Sequence, residues 1–259
     1  MLKKTDAIEK KLTLVMPVFN DHERVIPVIS TLFITIRYPF QLIVVYDSDT
    51  DGTIAVVKKL QEYFPEIILL QNEWKKGVLN AIKTGLKHAN TPYVGIWASY
   101  HVDPYCVVND MVDKLDSGYD LVSVTRFSTD KFIARGNPIK KLLSFGGNLI
   151  LHSVIGMPVT DVTTSLKVYK KELLDTIEIE TIAGWAVSAE LSIKAAINGY
   201  RLTEIPLQRK NVNLIHGITN FSIFKQSGEY FRWLYLGFQM RRTIKKHQVE
   251  IAEKNDQSV

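Results

Sequence analysis

The sequence predicts an α/β fold with a mainly parallel, Rossmann-like sheet flanked by helices. Short apolar runs alternate along the chain with amphipathic stretches of helical length, which is the pattern of repeated strand–helix–strand units. The chain has 259 residues, of which 46% are hydrophobic. This is enough to build the core of one large α/β domain or of two small ones.

Five apolar runs have the length and composition of strands, and four segments between them have the pattern of helices. The predicted strands are residues 12–18, 41–46, 66–71, 93–98 and 120–125. The predicted helices are residues 22–36, 52–64, 78–90 and 104–117. Polar residues or glycine, which suit caps and turns, precede each helix. The candidate site residues of this half therefore follow strands at their carboxyl ends, where open α/β sheets bind ligands.

The first predicted strand runs into MPVFND (residues 16–21) rather than into a glycine-rich loop. No GxGxxG follows it and no GxxxxGK[ST] occurs in the chain, so a dinucleotide site and a P-loop are not expected. Pro17 ends the ladder pairing of the strand and leaves Asn20 and Asp21 at the edge of the sheet. The plain alternative for these two polar residues is a helix N-cap.

The second strand is followed by YDSDTDGT (residues 46–53), in which Asp47, Asp49 and Asp51 alternate with other residues. Carboxylates this close repel one another, so each needs a partner. One suits a helix cap, and another suits a hydrogen bond from a nucleoside or a bound cation. A calcium loop of the EF-hand type is not expected, because no glutamate stands at its twelfth position.

The net charge of +5 is modest, but basic residues become denser near the end of the chain, where RRTIKKH (residues 241–247) follows YFRWLYLGF (residues 230–238). This favours contact with anionic lipid headgroups or phosphates, and the alternative is an ordinary solvated helix end. Nucleic acid is not an expected partner, because no other basic patch is interleaved with aromatic residues. The polar residues beyond His247 are expected to fray.

The cellular setting predicted from the sequence is cytoplasmic. The single Cys106 excludes an internal disulfide, and the charged start of the chain does not resemble a signal peptide. Residues 142–159 have about the length of a membrane span but contain polar residues and three glycines, so we expect no spanning helix there.

Seven segments resemble, in this order, the blocks of the family 2 glycosyltransferases. They are MPVFND, VVYDSDTDGT, NEWKKGVLNAIKTGLKHA, GYDLVSVTRF, TDVTTSLKVYKKELLD, ELSIKAAINGYRLTEIP and GITNFSIFKQSGEYFRW. The similarity is to the dolichol-phosphate, or polyprenyl-phosphate, mannosyltransferase branch and covers roughly residues 11–240. It implies a GT-A fold that transfers a hexose from a nucleotide-sugar, GDP-mannose or a UDP-hexose, to a lipid phosphate with inversion at the anomeric carbon.

The resemblance also implies a set of donor-binding residues. Pro17 and Asn20 match the nucleoside pocket, and Asp47 matches the acidic residue that meets the base or ribose. The donor contacts that we expect are Pro17, Asn20, Asp47, Asp51, Lys76, Gly77, Asn80 and Ser99.

Arg126 matches an arginine of the family that lies near the lipid phosphate or the donor diphosphate. The planar fork of a guanidinium suits phosphate oxygens better than a lysine does. The alternative is that Arg126 ties the end of its strand to a neighbouring carboxylate. Asp103 and Arg126 are the two residues that we predict to be catalytic.

The motif that binds a divalent cation in this branch is altered here. Ser99 stands where the branch has a cation-binding aspartate and Val102 replaces another, whereas Asp103 is kept. A serine hydroxyl is a much weaker ligand than a carboxylate for Mg²⁺ or Mn²⁺. Three hypotheses follow. His101 and Asp103 hold a cation, Mn²⁺ or Mg²⁺; or Arg126, Lys76 or Lys167 supplies the positive charge without metal; or the chain binds its ligands without turnover.

The acceptor-side residues implied by the resemblance are Asp161, Lys167 and Glu190. For Glu190 the alternative is an exposed helix charge paired with Lys194 four residues on. A phosphate acceptor is already anionic and needs no general base, whereas a hydroxyl acceptor needs one, for which Asp103 or Glu190 is the candidate.

We therefore predict a single GT-A domain with a donor half (residues 1–127), an acceptor half (residues 128–220), and an amphipathic interfacial helix with a polar tail (residues 221–259). Residues 142–157 and 221–240 are expected to lie at a membrane surface, beside Arg241, Arg242, Lys245 and Lys246. The expected partners are a nucleotide-sugar, a polyprenyl phosphate and the membrane surface. The alternatives are a binding module with impaired catalysis and a transferase with a hydroxyl acceptor.

Overall fold

A computed structural model describes residues 9–99, 106–127, 138–182, 184–207 and 223–256. Its centre is a seven-stranded sheet in the order β3-β2-β1-β4-β6-β5-β7. The strands are β1 (Leu12–Pro17), β2 (Phe40–Tyr46), β3 (Ile67–Gln71), β4 (Tyr93–Ile96), β5 (Leu121–Thr125), β6 (Lys167–Lys170) and β7 (Leu202–Pro206). The strands pair in parallel except β6, which is antiparallel to both β4 and β5.

Helices cover both faces of the sheet. They are α1 (Val25–Thr35), α2 (Thr53–Gln61), α3 (Val78–His88), α4 (Val107–Asp116), α5 (Pro138–Leu149), α6 (Lys171–Thr176), α7 (Val187–Ile197), α8 (Ile223–Gln239) and α9 (Arg241–Asp256). A π-helical stretch, Ile150–Ile155, continues α5 and ends at Gly156, whose φ of 90° suits glycine.

The core lies in two layers because the central strands of the sheet are buried on both faces. Leu14 and Met16 of β1 point into a cluster with α1, α2 and α4, whereas Val15 points into a second cluster with α3 and α7. Each of these three side chains is fully buried. Two-sided burial is what a mainly parallel sheet requires, and it explains why the strand sequences are continuous apolar runs.

The five predicted strands and four predicted helices are confirmed, with boundaries that differ by a few residues. The sequence motifs of the second half gave no strand assignment for β6 or β7. Through these strands one sheet joins the two predicted halves, since β7 pairs with β5 along its whole length. The division at residue 127 stays a prediction.

The expectation that the chain frays beyond His247 is wrong. Helix α9 continues to Asp256. It is anchored by Ile244, which is fully buried, and by the ring of His247, which packs at Gly199 beyond α7. The polar composition after His247 reflects the exposed faces of this last helix. No helix in the described part of the chain is long and apolar enough to cross a membrane.

Candidate active site

The loops after β1 and β2 are fastened to each other at the carboxyl edge of the sheet. The buried carboxylate of Asp51 accepts the backbone N–H of Asn20 (3.0 Å) and that of Thr53 (2.8 Å). The N–H of Asp21 is donated to the hydroxyl of Thr53 at 2.9 Å. Asp51 was expected to contact the donor, but here its carboxylate is enclosed and joins the two loops.

The loop after β1 has an unusual backbone. Asn20 and His22 have φ angles of 50° and 49°, in the left-handed region that residues other than glycine rarely adopt. The hydrogen bond from the Asn20 N–H to Asp51 holds the backbone of Asn20 in this conformation. The imidazole of His22 packs against Gly52, and any side chain at position 52 would collide with the imidazole. Pro17 is buried as the last residue of β1. Local strain of this kind is common at ligand sites.

Asp47 organises the loop that precedes α3. Its Oδ1 accepts a hydrogen bond from Asn72 Nδ2 (2.7 Å), and its Oδ2 accepts one from the backbone N–H of Gly77 (2.9 Å). Gly77 has a φ of 136°, which favours glycine at the start of the helix. Asn72 was missed by the sequence reasoning, although an asparagine at the carboxyl end of β3 was the available signal.

Two further side-chain hydrogen bonds converge on the loop after β3. Asn80 Nδ2 donates to the carbonyl oxygen of Lys75 (2.6 Å), and Asn72 Nδ2 donates to the same oxygen (3.2 Å). Lys76 lies on this loop and is exposed to solvent. The structure therefore brings together four of the expected donor residues, on two adjoining loops and the first turn of α3, namely Asp47, Lys76, Gly77 and Asn80.

Ser99 is nearly buried at the end of β4, and its hydroxyl donates to Asp21 Oδ2 at 2.8 Å. A carboxylate from the loop after β1 thus meets the serine for which the sequence resemblance implies an aspartate in related proteins. His101 and Asp103 lie outside the described residues. Among the residues that are described, no three histidine, cysteine, aspartate or glutamate side chains lie close enough to hold a metal ion.

Arg126 forms a two-pronged ion pair with Asp161. Its Nε and Nη2 donate to Asp161 Oδ2 (2.5 Å) and Oδ1 (2.8 Å), and Asp161 is fully buried. Nη2 also lies 3.4 Å from the hydroxyl of Ser144 on α5. Arg126 therefore ties the end of β5 to a neighbouring carboxylate, as the alternative interpretation of the sequence has it. The arginine side chain is nevertheless 28% exposed.

Lys167 is enclosed by the protein. Its ammonium donates to the carbonyl oxygens of Val162 (2.6 Å), Thr164 (2.8 Å) and Ser188 (3.1 Å). Burial lowers the pKa of Lys167 to about 7, and the charge of Asp161 acts in the opposite direction. The expectation that Lys167 is a cation for the acceptor or diphosphate does not fit this position, because its donors face backbone carbonyls inside the fold.

Glu190 is also inside the protein. Its two oxygens accept the backbone N–H groups of Glu180 (2.6 Å) and Thr181 (2.9 Å), and Lys194 lies 2.9 Å away. The pair with Lys194 that the sequence suggested exists, but Glu190 is fully buried rather than exposed. In this arrangement its carboxylate fixes the segment before α7 and is not open to receive a proton from an acceptor.

An exposed apolar surface lies beside Arg126. Helix α5 and its π-helical continuation contribute six side chains, and α8, which packs next to them, contributes three; all are 42–71% exposed. This apolar face consists of Leu142, Leu143, Phe145, Leu149, Ile150, Val154, Phe231, Tyr235 and Phe238. The guanidinium of Arg241 stacks on Phe238 at one end, 4.2 Å from the ring centre.

Known sequences match this chain over most of its length. The model of glycosyl transferase family 2 matches residues 13–178. Polyprenol monophosphomannose synthase of Mycolicibacterium smegmatis is 23% identical over 206 residues, which is 76% of this chain and 77% of that protein. Dolichyl-phosphate hexose transferase of Haloferax volcanii is 34% identical over 100 residues, which is 37% of this chain and 40% of that protein.

Solved structures share the fold. Glucosyl-3-phosphoglycerate synthase from Mycobacterium tuberculosis, in complex with Mn²⁺, UDP and glucosyl-3-phosphoglycerate, superposes with a TM-score of 0.62 at 16% identity, covering 90% of this chain and 80% of that one. The same protein with Mg²⁺ and UDP gives a TM-score of 0.63 at 16% identity, with 90% and 79% covered. The architecture of this chain is therefore the GT-A fold that the sequence motifs implied.

Proposed function

Because the chain belongs to glycosyl transferase family 2, we propose that it transfers a hexose from a nucleotide-sugar to a polyprenyl or dolichyl phosphate, with inversion at the anomeric carbon. Two relatives support this acceptor class, since one is named a polyprenol monophosphomannose synthase and the other a dolichyl-phosphate hexose transferase. The hexose is of the mannose or glucose type, carried by GDP or UDP.

The observation that carries the proposal is the position of Arg126 beside the apolar face. A polyprenyl phosphate has an anionic head and a long apolar tail. Arg126 Nη2 lies 3.4 Å from Ser144 Oγ on α5, and Phe127 next to it contacts Phe145 of the apolar face with 5.9 Å between ring centres. A guanidinium next to exposed apolar side chains matches both ends of such an acceptor.

The donor occupies the loops after β1, β2 and β3 in this proposal. Asp47, held by Asn72 and Gly77, accepts a hydrogen bond from the base or ribose, and Lys76 lies near the diphosphate. Phe19, which is 60% exposed between Pro17 and Asn20, offers an aromatic surface for the base. The sequence reasoning did not single out Phe19, although an aromatic residue inside MPVFND was a visible signal.

The chemistry requires no general base. An oxygen of the acceptor phosphate attacks the anomeric carbon as the bond from that carbon to the donor diphosphate breaks, and the nucleoside diphosphate leaves from the opposite face. The phosphate is already anionic, so no proton has to be removed. Enclosure of Glu190 is compatible with this reaction and argues against a hydroxyl acceptor that uses Glu190 as its base.

A divalent cation, when bound, would neutralise the charge that develops on the leaving diphosphate. Structural neighbours were crystallised with Mn²⁺ or Mg²⁺. For this chain we propose His101 and Asp103 as the residues that hold such an ion, with Mn²⁺ favoured by the imidazole ligand. In a reaction without metal, Arg126 or Lys76 would supply the positive charge beside the diphosphate, whereas Lys167 is enclosed in the fold.

We also propose that the apolar face rests on the cytoplasmic surface of a membrane. An acceptor tail stays in the bilayer, so the protein must reach the headgroup from the surface. Four basic residues stand in the first two turns of α9, where Arg241 stacks on Phe238 of the apolar face, and each one near the lipid surface adds about 1 kcal/mol of attraction to anionic lipid. They are Arg241, Arg242, Lys245 and Lys246.

The test is transfer of label from donor to lipid. Purified protein is incubated with radiolabelled GDP-mannose or UDP-glucose, a polyprenyl phosphate in anionic vesicles, and either Mn²⁺, Mg²⁺ or a chelator. We expect label in the organic phase with one donor, and its loss in Arg126→Met. The proposal is contradicted if no donor labels the lipid under any ionic condition.

A binding module without turnover is the second candidate, favoured by one observation. Ser99 meets Asp21 through its hydroxyl where relatives of this branch carry a carboxylate. Such a module would bind GDP or UDP in calorimetry and label no acceptor in the assay above. Phosphoglyceric acid added in place of the lipid tests the hydroxyl-acceptor alternative in the same experiment.

A further inference from the structure

A single buried amide, that of Asn148 on α5, connects several parts of the acceptor side. Its Oδ1 accepts the backbone N–H groups of Val162 (2.8 Å) and Thr163 (3.2 Å). Its Nδ2 donates to the Ser144 carbonyl (2.9 Å), Thr163 Oγ1 (2.8 Å) and Asp161 Oδ1 (3.4 Å). Asn148 is 2% exposed, so water does not replace these partners readily.

The orientation of Asp161 determines that of Arg126. A bidentate pair between a carboxylate and a guanidinium requires the two groups to share one plane. Asp161 Oδ1 is fixed from the other side by Asn148 and by the N–H of Thr164 at 3.2 Å. Glu204 of β7 holds the start of this segment through the N–H of Thr160 at 2.6 Å. Rotation of the carboxylate would turn the arginine with it.

Helix α5 presents different chemistry on its two sides. Ser144 and Asn148, one turn apart, face the Asp161–Arg126 pair, whereas Phe145 and Leu149 belong to the exposed apolar face. Residues four apart lie on the same side of a helix. The helix that we place on the lipid is thereby joined, through Asn148, to the cation that we place on the acceptor phosphate.

We propose that Asn148 is a positioning residue that acts through Asp161 to set the orientation of Arg126 relative to α5. The positioning of Arg126 does not depend on the proposed function. The expected effect of Asn148 on acceptor binding does rest on it. Asn148 touches neither substrate. Its contribution is to hold the arginine at a fixed distance from the apolar face, so that one acceptor can engage the two together.

The test compares Asn148→Leu, which keeps the size of the side chain and removes its hydrogen bonds, with Asn109→Leu. Asn109 is a matched control on α4. It is nearly buried, and its side chain accepts the N–H of Arg37 (3.0 Å) and donates to the Thr35 carbonyl (3.0 Å), both at the end of α1. Asn148→Ser, which leaves a smaller polar side chain, serves if the leucine variant does not fold.

The first measurement needs no substrate. Phenylglyoxal modifies accessible arginines, and peptide mapping follows Arg126 alone. We expect modification of Arg126 to be about fivefold faster in Asn148→Leu, the factor that corresponds to one lost hydrogen bond, and unchanged in Asn109→Leu. Folded Asn148→Leu and Asn148→Ser proteins whose Arg126 reacts at the wild-type rate would overturn the inference.

The second measurement is the transfer assay. We expect the acceptor KM of Asn148→Leu to rise about tenfold while its donor KM stays within about twofold. If Asn148 had a merely structural role, its replacement would change the acceptor KM and the donor KM together or leave both unchanged. The same is expected of Asn109→Leu. If Arg126 reacts faster but the acceptor KM is unchanged, the positioning of Arg126 by Asn148 stands and its proposed role in acceptor binding fails.

Discussion

Replacement of Asp47 by alanine is the most direct probe of the donor site. The carboxylate of Asp47 bridges the loops after β2 and β3 through Asn72 Nδ2 (2.7 Å) and the N–H of Gly77 (2.9 Å). Asp47→Ala leaves both donors without this acceptor. If the carboxylate also accepts a hydrogen bond from the nucleoside, the variant loses an interaction that is present only in the complex.

The expected losses of stability and of nucleotide affinity follow separately from typical hydrogen-bond energies applied to these contacts. Each hydrogen bond to a charged acceptor contributes about 1.5 kcal/mol at the lower end of its range, which is appropriate for a half-buried carboxylate. The free energy of unfolding should therefore fall by up to about 3 kcal/mol. Loss of the nucleoside contact should weaken nucleotide binding by about 1–3 kcal/mol, which is about 5-fold to 150-fold in Kd.

Calorimetry with GDP and UDP measures the affinity, and urea unfolding measures the stability. Asp120→Ala is the matched control. Asp120 likewise accepts one side-chain and one backbone hydrogen bond, from Lys170 (2.9 Å) and Arg201 (2.8 Å), but it lies at the amino end of β5, away from the site. Equal losses of stability in the two variants, with wild-type nucleotide affinity in Asp47→Ala, would refute the reasoning and leave Asp47 as a turn carboxylate only.

Three further predictions concern the neighbouring groups. Arg126→Met leaves Asp161 buried without its cation and should lower the free energy of unfolding by about 3 kcal/mol in urea; adding Asp161→Asn should recover most of this loss, and no recovery would contradict the pairing. Ser99→Asp places a second carboxylate beside Asp21, so Mn²⁺ should raise its melting temperature more than that of the wild type; an equal response to Mn²⁺ argues against a cation at this position. Burial lowers the pKa of Lys167 to about 7, so between pH 7 and pH 10 the unfolded chain holds a proton that the folded chain lacks. The unfolding free energy of the wild type relative to Lys167→Met should therefore rise by roughly 1 kcal/mol per pH unit across this range, and a flat difference would contradict the lowered pKa.

The first five strands were predictable because each is a mostly apolar run; β1, β2, β4 and β5 are largely buried on both faces, and the edge strand β3 is partly buried. Strand β6 was not, because it has four residues, Lys167–Lys170, and is defined by antiparallel pairing with β4 and β5. Those strands are distant in sequence, so no local pattern reports the pairing. Strand β7 contains Thr203, Glu204 and Pro206 among its five residues, which weakens its apolar signal.

The same limit explains the misplaced residues of the acceptor side. Motif matching identified Lys167 as a basic residue, but its burial depends on β6. In a strand, residues two apart lie on the same face, so Lys167 shares the buried face of Tyr169. Recognising β6 would have placed this lysine inside the fold. Asn72 and Asn148 were missed because the carboxylates that they contact, Asp47 and Asp161, lie 25 and 13 residues away in the sequence.

The described carboxylates of the site all accept hydrogen bonds from the protein itself, which bears on how a negatively charged donor can bind there. Asp47, Asp51 and Asp161 each accept at least two N–H groups of the protein, and Asp21 accepts the Ser99 hydroxyl. These acidic side chains therefore hold loops in place, which accounts for their close spacing in the sequence despite mutual repulsion. In the function proposed above, a sugar diphosphate brought to this edge gains its positive counterpart from Lys76, from Arg126, or from a cation held by His101 and Asp103. The carboxylates are themselves anionic and do not supply this positive charge; their contribution is to hold the loops that form the site.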